Sequence, residues 1–308
     1  MEVRLVPYLI FTGCSAAACI LWFFLADRQR RPDGKSLSLS LLILLLGVLS
    51  GAACARLVWV LFRIMMRPPL FALAVEELSY YGGVAGVILA VAAAARVCGR
   101  GPRETLNTFA PAGAFLAAMF RFAEGFLGTL GFGTYLEEGI FFPVTVEIVW
   151  DEYFSEYYIA VFMLEGFLGL AAMVFALLRA KDRNRWIRTL FYLCLPQVLC
   201  ESLRIQSIRW LFIRAEQLVC FLLCEGVLVW YALRRGPRGL RSWFPALTGL
   251  LVCGLVIAVE FALDGKITVG GQGLSPWLLY ALMAAGLCAM AAAEHRAHSE
   301  DNRTARDR

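Results

Sequence analysis

Long apolar stretches separated by short polar and basic segments dominate the chain. Nine stretches approach or exceed the roughly 20 residues a helix needs to cross the hydrocarbon core of a bilayer. They cover residues 7–26, 37–62, 80–97, 108–128, 157–178, 187–203, 212–233, 243–263 and 275–293. Unbroken apolarity of this length predicts an all-α fold, a polytopic bundle of about nine transmembrane helices. The fourth stretch is rich in Gly and Ala and carries Arg121 and Glu124, which predicts a broken or partly re-entrant helix. One segment has a different period. From Phe142 to Trp150 apolar and polar residues partly alternate, which predicts a short strand or hairpin within a small element at about 133–156.

Composition excludes the soluble alternatives. Of 308 residues, 60% are hydrophobic and 17% charged, and the mean hydropathy is +0.69. A soluble domain is about 45–50% apolar and about 25% charged. The net charge of +5 is spread along the chain without a basic soluble domain, so no nucleic-acid partner is expected. Lys and Arg instead report orientation. Alternate loops hold 20 of the 29, around Arg28, Arg100, Arg183, Arg238 and Arg303, which predicts an outside N-terminus and a cytoplasmic C-terminus. Thr134 to Glu156 is an outer loop with Glu137, Glu138, Glu147, Asp151, Glu152 and Glu156 and no Lys or Arg.

Nearly all ten Cys fall inside apolar runs without a CxxC spacing, and the two His, His295 and His298, follow the last run. Neither a disulfide scaffold nor a metal centre is expected. The chemistry-bearing candidates are ionisable residues at bilayer depth, which are costly unless they pair or line a wet cavity. These are Arg56, Arg121, Glu124, Glu165, Glu201, Glu225 and Glu260. Arg121 with Glu124, and Glu201 with Arg204, are each spaced to share a helix face. A guanidinium in an interrupted Gly/Ala-rich helix suits an anionic headgroup, because its planar fork matches phosphate oxygens. Gly82 and Gly86 form a small-xxx-small pair that admits a neighbouring helix.

These pieces, in this order, resemble the bacterial prolipoprotein diacylglyceryl transferases over about residues 37–235. The resemblance is carried by Ala55-Arg56-Leu57-Val58-Trp59-Val60-Leu61-Phe62, Glu76-Glu77-Leu78-Ser79-Tyr80-Tyr81-Gly82-Gly83, and Asn107-Thr108-Phe109-Ala110-Pro111 followed ten residues later by Arg121. Leu164-Glu165-Gly166, Glu201-Ser202-Leu203-Arg204 and Glu216-Gln217-Leu218 complete it. The resemblance implies transfer of a diacylglyceryl group from a membrane phospholipid, phosphatidylglycerol in the family, to the Cys thiol in the signal peptide of a lipoprotein precursor. No cofactor is implied. It makes Arg121, Tyr81 and Glu201 the catalytic candidates, and Arg121, Arg204, Gly82 and Gly83 the phosphate-binding ones. Arg56, Glu124, Glu165, Gln197 and Gln217 are supporting residues.

The sequence also departs from the family pattern. Tyr81 replaces a His, Glu124 and Leu127 replace Asn, Thr129 replaces a Glu, and Gln197 replaces an Arg, which together lower the positive charge of the site. A catalytically inactive paralogue that binds lipid or protein, and an ion-coupled transporter, are the alternatives. The expected organisation is a transferase-like membrane core at 1–242, two additional helices at 243–294 and a charged cytoplasmic tail at 295–308.

Overall fold

The computed structural model of the chain describes residues 4–32, 34–64, 68, 77–151, 154–207, 209–210, 213–234, 240–269 and 272–306. Nine α-helices among the described residues follow the nine apolar stretches: α1 Leu5–Arg30, α2 Ser36–Phe62, α3 Tyr80–Val97, α4 Pro102–Ala123, α5 Val161–Leu178, α6 Arg185–Leu203, α7 Ala215–Arg234, α8 Leu240–Leu263 and α9 Pro276–Arg306. Eight are long and apolar enough to cross a membrane, so this is an all-α, multi-pass membrane protein. In α6 the polar side chains of Arg185, Arg188, Gln197 and Glu201 lower the apolarity. Two compact units divide the chain, one of Met1–Thr189 with Leu203–Ile208, the other of Leu190–Ser202 with Arg209–Arg308. Glu76, Arg67, Glu152, Arg235 and Arg238 lie outside the described residues.

In the first unit α2 and α3 approach most closely through the glycines of α3. A Cβ on Gly86 would collide with the Ser50 carbonyl, and one on Gly82 would lie 2.8 Å from the Cys54 carbonyl oxygen. Ser50 Oγ donates to the Gly86 carbonyl across the same crossing (2.8 Å). Cys19, Phe23, Leu39, Ile43, Val91 and Phe109 fill the core among α1 to α4. At one end of this core Arg100 Nη1 donates to both oxygens of Asp27 at 2.6 Å, and both side chains are buried. Asn107, part of the third family-like motif, accepts from the Trp186 N–H at 2.9 Å through Oδ1 and donates to the Arg183 carbonyl through Nδ2. The side chain therefore fixes the start of α6.

The interruption in the fourth apolar stretch is real. α4 ends at Ala123 and the chain tightens into a 3-10 helix, Glu124–Gly131, containing a left-handed Gly128 (φ 68°). Gly125 and Gly131 lie against the Phe162 side chain, where a Cβ would come within 2.6 and 3.0 Å of its atoms. A side chain at either position would push this turn away from α5.

Beyond it the predicted hairpin is a three-stranded antiparallel sheet of order β1-β3-β2: β1 Tyr135–Leu136, β2 Thr145–Asp151 and β3 Phe154–Ile159. Thr145 pairs with Ile159 and Glu147 with Tyr157. Because those pairs claim residues 157–159 for the sheet, the fifth helix begins at Val161 and not at 157 as hydropathy alone predicts. Phe132, Ile148, Ala160 and Phe162 form the core beneath the sheet. Tyr158 donates to Glu156 (2.6 Å), which holds its phenol above the ordinary value.

In the second unit α7, α8 and α9 pack together, with the two-residue strand pairs β4 Arg209–Trp210/β5 Ile213–Arg214 and β6 Thr268–Val269/β7 Gln272–Gly273 at the turns. α9 runs well past its apolar stretch, so the segment predicted as a charged tail from 295 is helical as far as Arg306. One face of this extension is buried. Tyr192 donates to Glu294 (3.0 Å), and the Tyr231 hydroxyl lies 3.2 Å from His298 Nδ1. Burial of Glu294, Ala297 and His298 continues the helix where hydropathy predicts its end.

Candidate functional site

Arg121 stands in the last turn of α4, 4% exposed. The tightening of the chain after Ala123 brings Glu124 onto the same side, and Arg121 Nη1 donates to Glu124 Oε1 at 2.5 Å. From α5, Glu165 Oε2 lies 3.2 Å from Arg121 Nε. Arg204 follows α6 and is held by a single bridge to Gly133, whose tight packing against Val161 and the Leu203 carbonyl leaves no space for a side chain. Its Nε donates to Glu165 Oε1 (3.1 Å), its Nη2 to both Glu165 and Glu124 (2.5 Å to the latter), and its Nη1 to the Leu130 carbonyl (2.9 Å). The result is a closed ring of two guanidinium groups and two carboxylates with formal charge zero.

The two cations differ in how they are satisfied. Every side-chain nitrogen of Arg204 donates a hydrogen bond. Arg121 Nε and Nη2 are buried without a hydrogen-bond partner, even though Nε is close to Glu165. The Tyr80 ring backs the Arg121 guanidinium at 3.6 Å from the ring centroid, and the Tyr80 hydroxyl is anchored on the Ala117 carbonyl (2.7 Å). Tyr81, the position singled out from sequence, is buried with its ring 5.7 Å from the guanidinium and packs edge-on against Tyr80. Doublet sequences such as Tyr80-Tyr81 do not reveal which ring faces the cation, because that depends on the rotation of α3. One residue on from Glu124, Gly125 lines a cavity of about 490 Å³ with Phe132, Phe141, Phe142, Glu147, Tyr157 and Phe162.

Other residues singled out from sequence are placed elsewhere. The N–H of Gly82 is taken by Ser79 Oγ (3.0 Å) and that of Gly83 by the Ser79 carbonyl (3.1 Å), so both amides serve the start of α3. Arg56 is buried, pairs with Glu77 (2.7 Å) and lies over Trp59, tying α2 to the segment before α3. Gln197, Glu201 and Gln217 belong to the second unit. Gln197 Nε2 donates to Glu201 (3.3 Å), and Gln217 Nε2 donates to Ser202 and Glu260 at 3.0 Å each. Arg214 completes that network with Nη1 on the Glu201 carbonyl (2.5 Å) and Nε 3.7 Å from Glu260. Glu225 of α7 abuts Gly249 of α8, where an added Cβ would strike its carboxylate. Among the described residues, no group of three or more His, Cys, Asp or Glu could hold a metal ion.

The sequence profile of the prolipoprotein diacylglyceryl transferase family matches residues 5–233, from the start of α1 to the last turn of α7. α8 and α9 follow the matched region. No curated protein matches the chain.

Proposed function

The chain belongs to the prolipoprotein diacylglyceryl transferase family, and on that premise we propose that it transfers the diacylglyceryl group of a membrane phospholipid to the Cys thiol of a lipoprotein precursor. The reaction requires a cation at the phosphate that leaves and conditions that favour the thiolate of the incoming Cys. Arg121 carries this reading. It is a buried guanidinium whose Nη2 has no hydrogen-bond partner in the protein, and an unsatisfied buried donor costs about 1–3 kcal/mol, more when charged. A phosphate oxygen repays that cost with a charge-assisted hydrogen bond.

The surrounding residues divide the remaining work. Tyr80 backs the guanidinium plane, with Tyr81 packed behind it, and Glu165 and Arg204 hold the ring closed so that Arg121 meets the lipid in one geometry. The positive charge of Arg121 stabilises both the leaving phosphate and the attacking thiolate. Gln197, Glu201, Gln217 and Arg214 belong to a separate hydrogen-bonded network in the second unit. The basic loops orient the chain in a bacterial plasma membrane with its N-terminus outside, and the sheet between α4 and α5 on that outer side. The precursor is recognised through its signal peptide, and no cofactor takes part.

Complementation tests this reading. The chain is expressed in bacteria depleted of their own diacylglyceryl transferase, and lipidation of a reporter lipoprotein is followed by gel shift. Restored lipidation that is lost with Arg121→Ala is the expected result. An inserted, abundant wild-type protein that leaves the reporter unlipidated overturns it, in favour of a lipid-binding paralogue without transferase activity.

A further inference from the structure

The ionic ring constrains which phospholipid it accepts. Arg121 and Arg204 pair with Glu124 and Glu165, so these four side chains sum to formal charge zero before any lipid arrives. A donor whose headgroup carries only the phosphodiester charge leaves that site with one uncompensated negative charge, in surroundings where low dielectric magnifies the imbalance. A donor that brings its own positive charge leaves it neutral.

The structure also offers a place for that positive charge. Glu124 is the most open member of the ring, its side chain 14% exposed against 2% for Glu165. Its two oxygens each contact one guanidinium, Oε1 on Arg121 and Oε2 on Arg204. A carboxylate has about four lone-pair sites, so acceptor capacity remains. The partnerless Nη2 of Arg121 belongs to the very side chain that Glu124 touches. The spare donor and the least buried carboxylate of the ring are therefore adjacent, as a phosphate and an ammonium joined by a two-carbon linker require.

We infer that the donor is a zwitterionic phospholipid with a primary ammonium headgroup, phosphatidylethanolamine being the simplest, its phosphate on Arg121 and its ammonium on Glu124. The inference rests on the transferase reading of the same ring. In the transfer the precursor sulfur attacks the glycerol carbon that bears the phosphate. The C–S bond forms as the C–O bond breaks, phosphoethanolamine leaves with the electron pair, and the thiol proton ends on the departing phosphate.

The test uses the full-length protein in nanodiscs holding equal amounts of phosphatidylethanolamine and phosphatidylglycerol with acyl chains of different mass. Two ratios are read by mass spectrometry: lipid retained on the purified protein, and acyl chains delivered to a reporter precursor. Wild type should favour phosphatidylethanolamine about tenfold in both. Glu124→Gln, which makes the ring cationic, should shift both ratios at least tenfold towards phosphatidylglycerol, and Glu124→Asp should keep the wild-type preference. Retention and delivery of phosphatidylglycerol by wild type, or ratios unmoved in Glu124→Gln, overturn the headgroup assignment and leave the transferase reading standing. Delivery from neither donor overturns the transferase reading, and the retained-lipid ratio still decides the headgroup.

Discussion

Replacing Glu165 by Gln removes one charge from the ring with almost no change of shape. The carboxylate contacts Arg204 through Nε at 3.1 Å and through Nη2, and it lies 3.2 Å from Arg121 Nε. At an effective dielectric of about 20, a pair of unit charges some 3 Å apart is worth about 5 kcal/mol of gross attraction. Two such partners supply about 10 kcal/mol, most of it offset by the cost of bringing the charges out of water. The net loss when one member of a buried ion network is removed is about 3–5 kcal/mol, because the guanidinium groups left behind remain buried. Unfolding in mixed micelles titrated with a denaturing detergent measures this loss for Glu165→Gln, Arg204→Gln and the double variant. The double variant should be less destabilised than the sum of the two single changes by about 2 kcal/mol, as residues within one network couple. A Glu165→Gln protein within about 0.5 kcal/mol of wild type, or strict additivity, refutes the closed ring.

Three further outcomes follow from the geometry. Gly86→Ala forces a Cβ into the backbone of α2 and should destabilise by about 2–4 kcal/mol, in the range of severe overpacking, whereas Gly47→Ala, with open space around it, should be neutral or stabilising by about 0.5–1 kcal/mol; thermal unfolding of the two proteins in detergent compares them directly. Tyr80→Phe keeps the ring behind Arg121 and loses the hydrogen bond to Ala117, about 1 kcal/mol, while Tyr80→Ala removes a desolvated cation–π contact worth about 2 kcal/mol; reporter lipidation should survive the first and fall at least tenfold in the second. Asp27→Ala removes the buried carboxylate on which Arg100 donates and should cost about 3–5 kcal/mol, and Asp27→Ala combined with Arg100→Leu should regain part of that loss in the same unfolding assay.

Most of the membrane architecture can be read from the chain itself. Apolar runs of sufficient length must become helices in a bilayer, since only there are all backbone N–H and C=O groups satisfied within the segment. For that reason the nine stretches, the interruption after Arg121 and the alternating segment before α5 all reappear in the structure. Element ends were less legible wherever partners decide them. Residues 157–159 are apolar enough to extend a helix, yet pairing with β2 makes them a strand. Glu294 and His298 look like the start of a solvated tail, yet phenol partners keep them buried in a continuing helix.

The same division holds at the candidate site. Hydropathy marks Arg121, Glu124 and Glu165 as anomalies, because a charge in an apolar run is visible without any knowledge of its neighbours, and the three-residue spacing from Glu201 adds Arg204. Their closure into one ring is not visible, since Arg204 reaches Glu165 across 39 residues of sequence and Glu124 across 80. Nor does the doublet Tyr80-Tyr81 reveal which ring backs the guanidinium, or the diglycine Gly82-Gly83 that its amides already serve the cap of α3. The sequence alone determined which segments enter the membrane and which charges must find partners there, because transfer from water to lipid is a property of each segment taken singly. Only the tertiary structure decided which charges meet and which donor is left over, because pairing depends on helix rotation and on contacts between segments far apart in the chain.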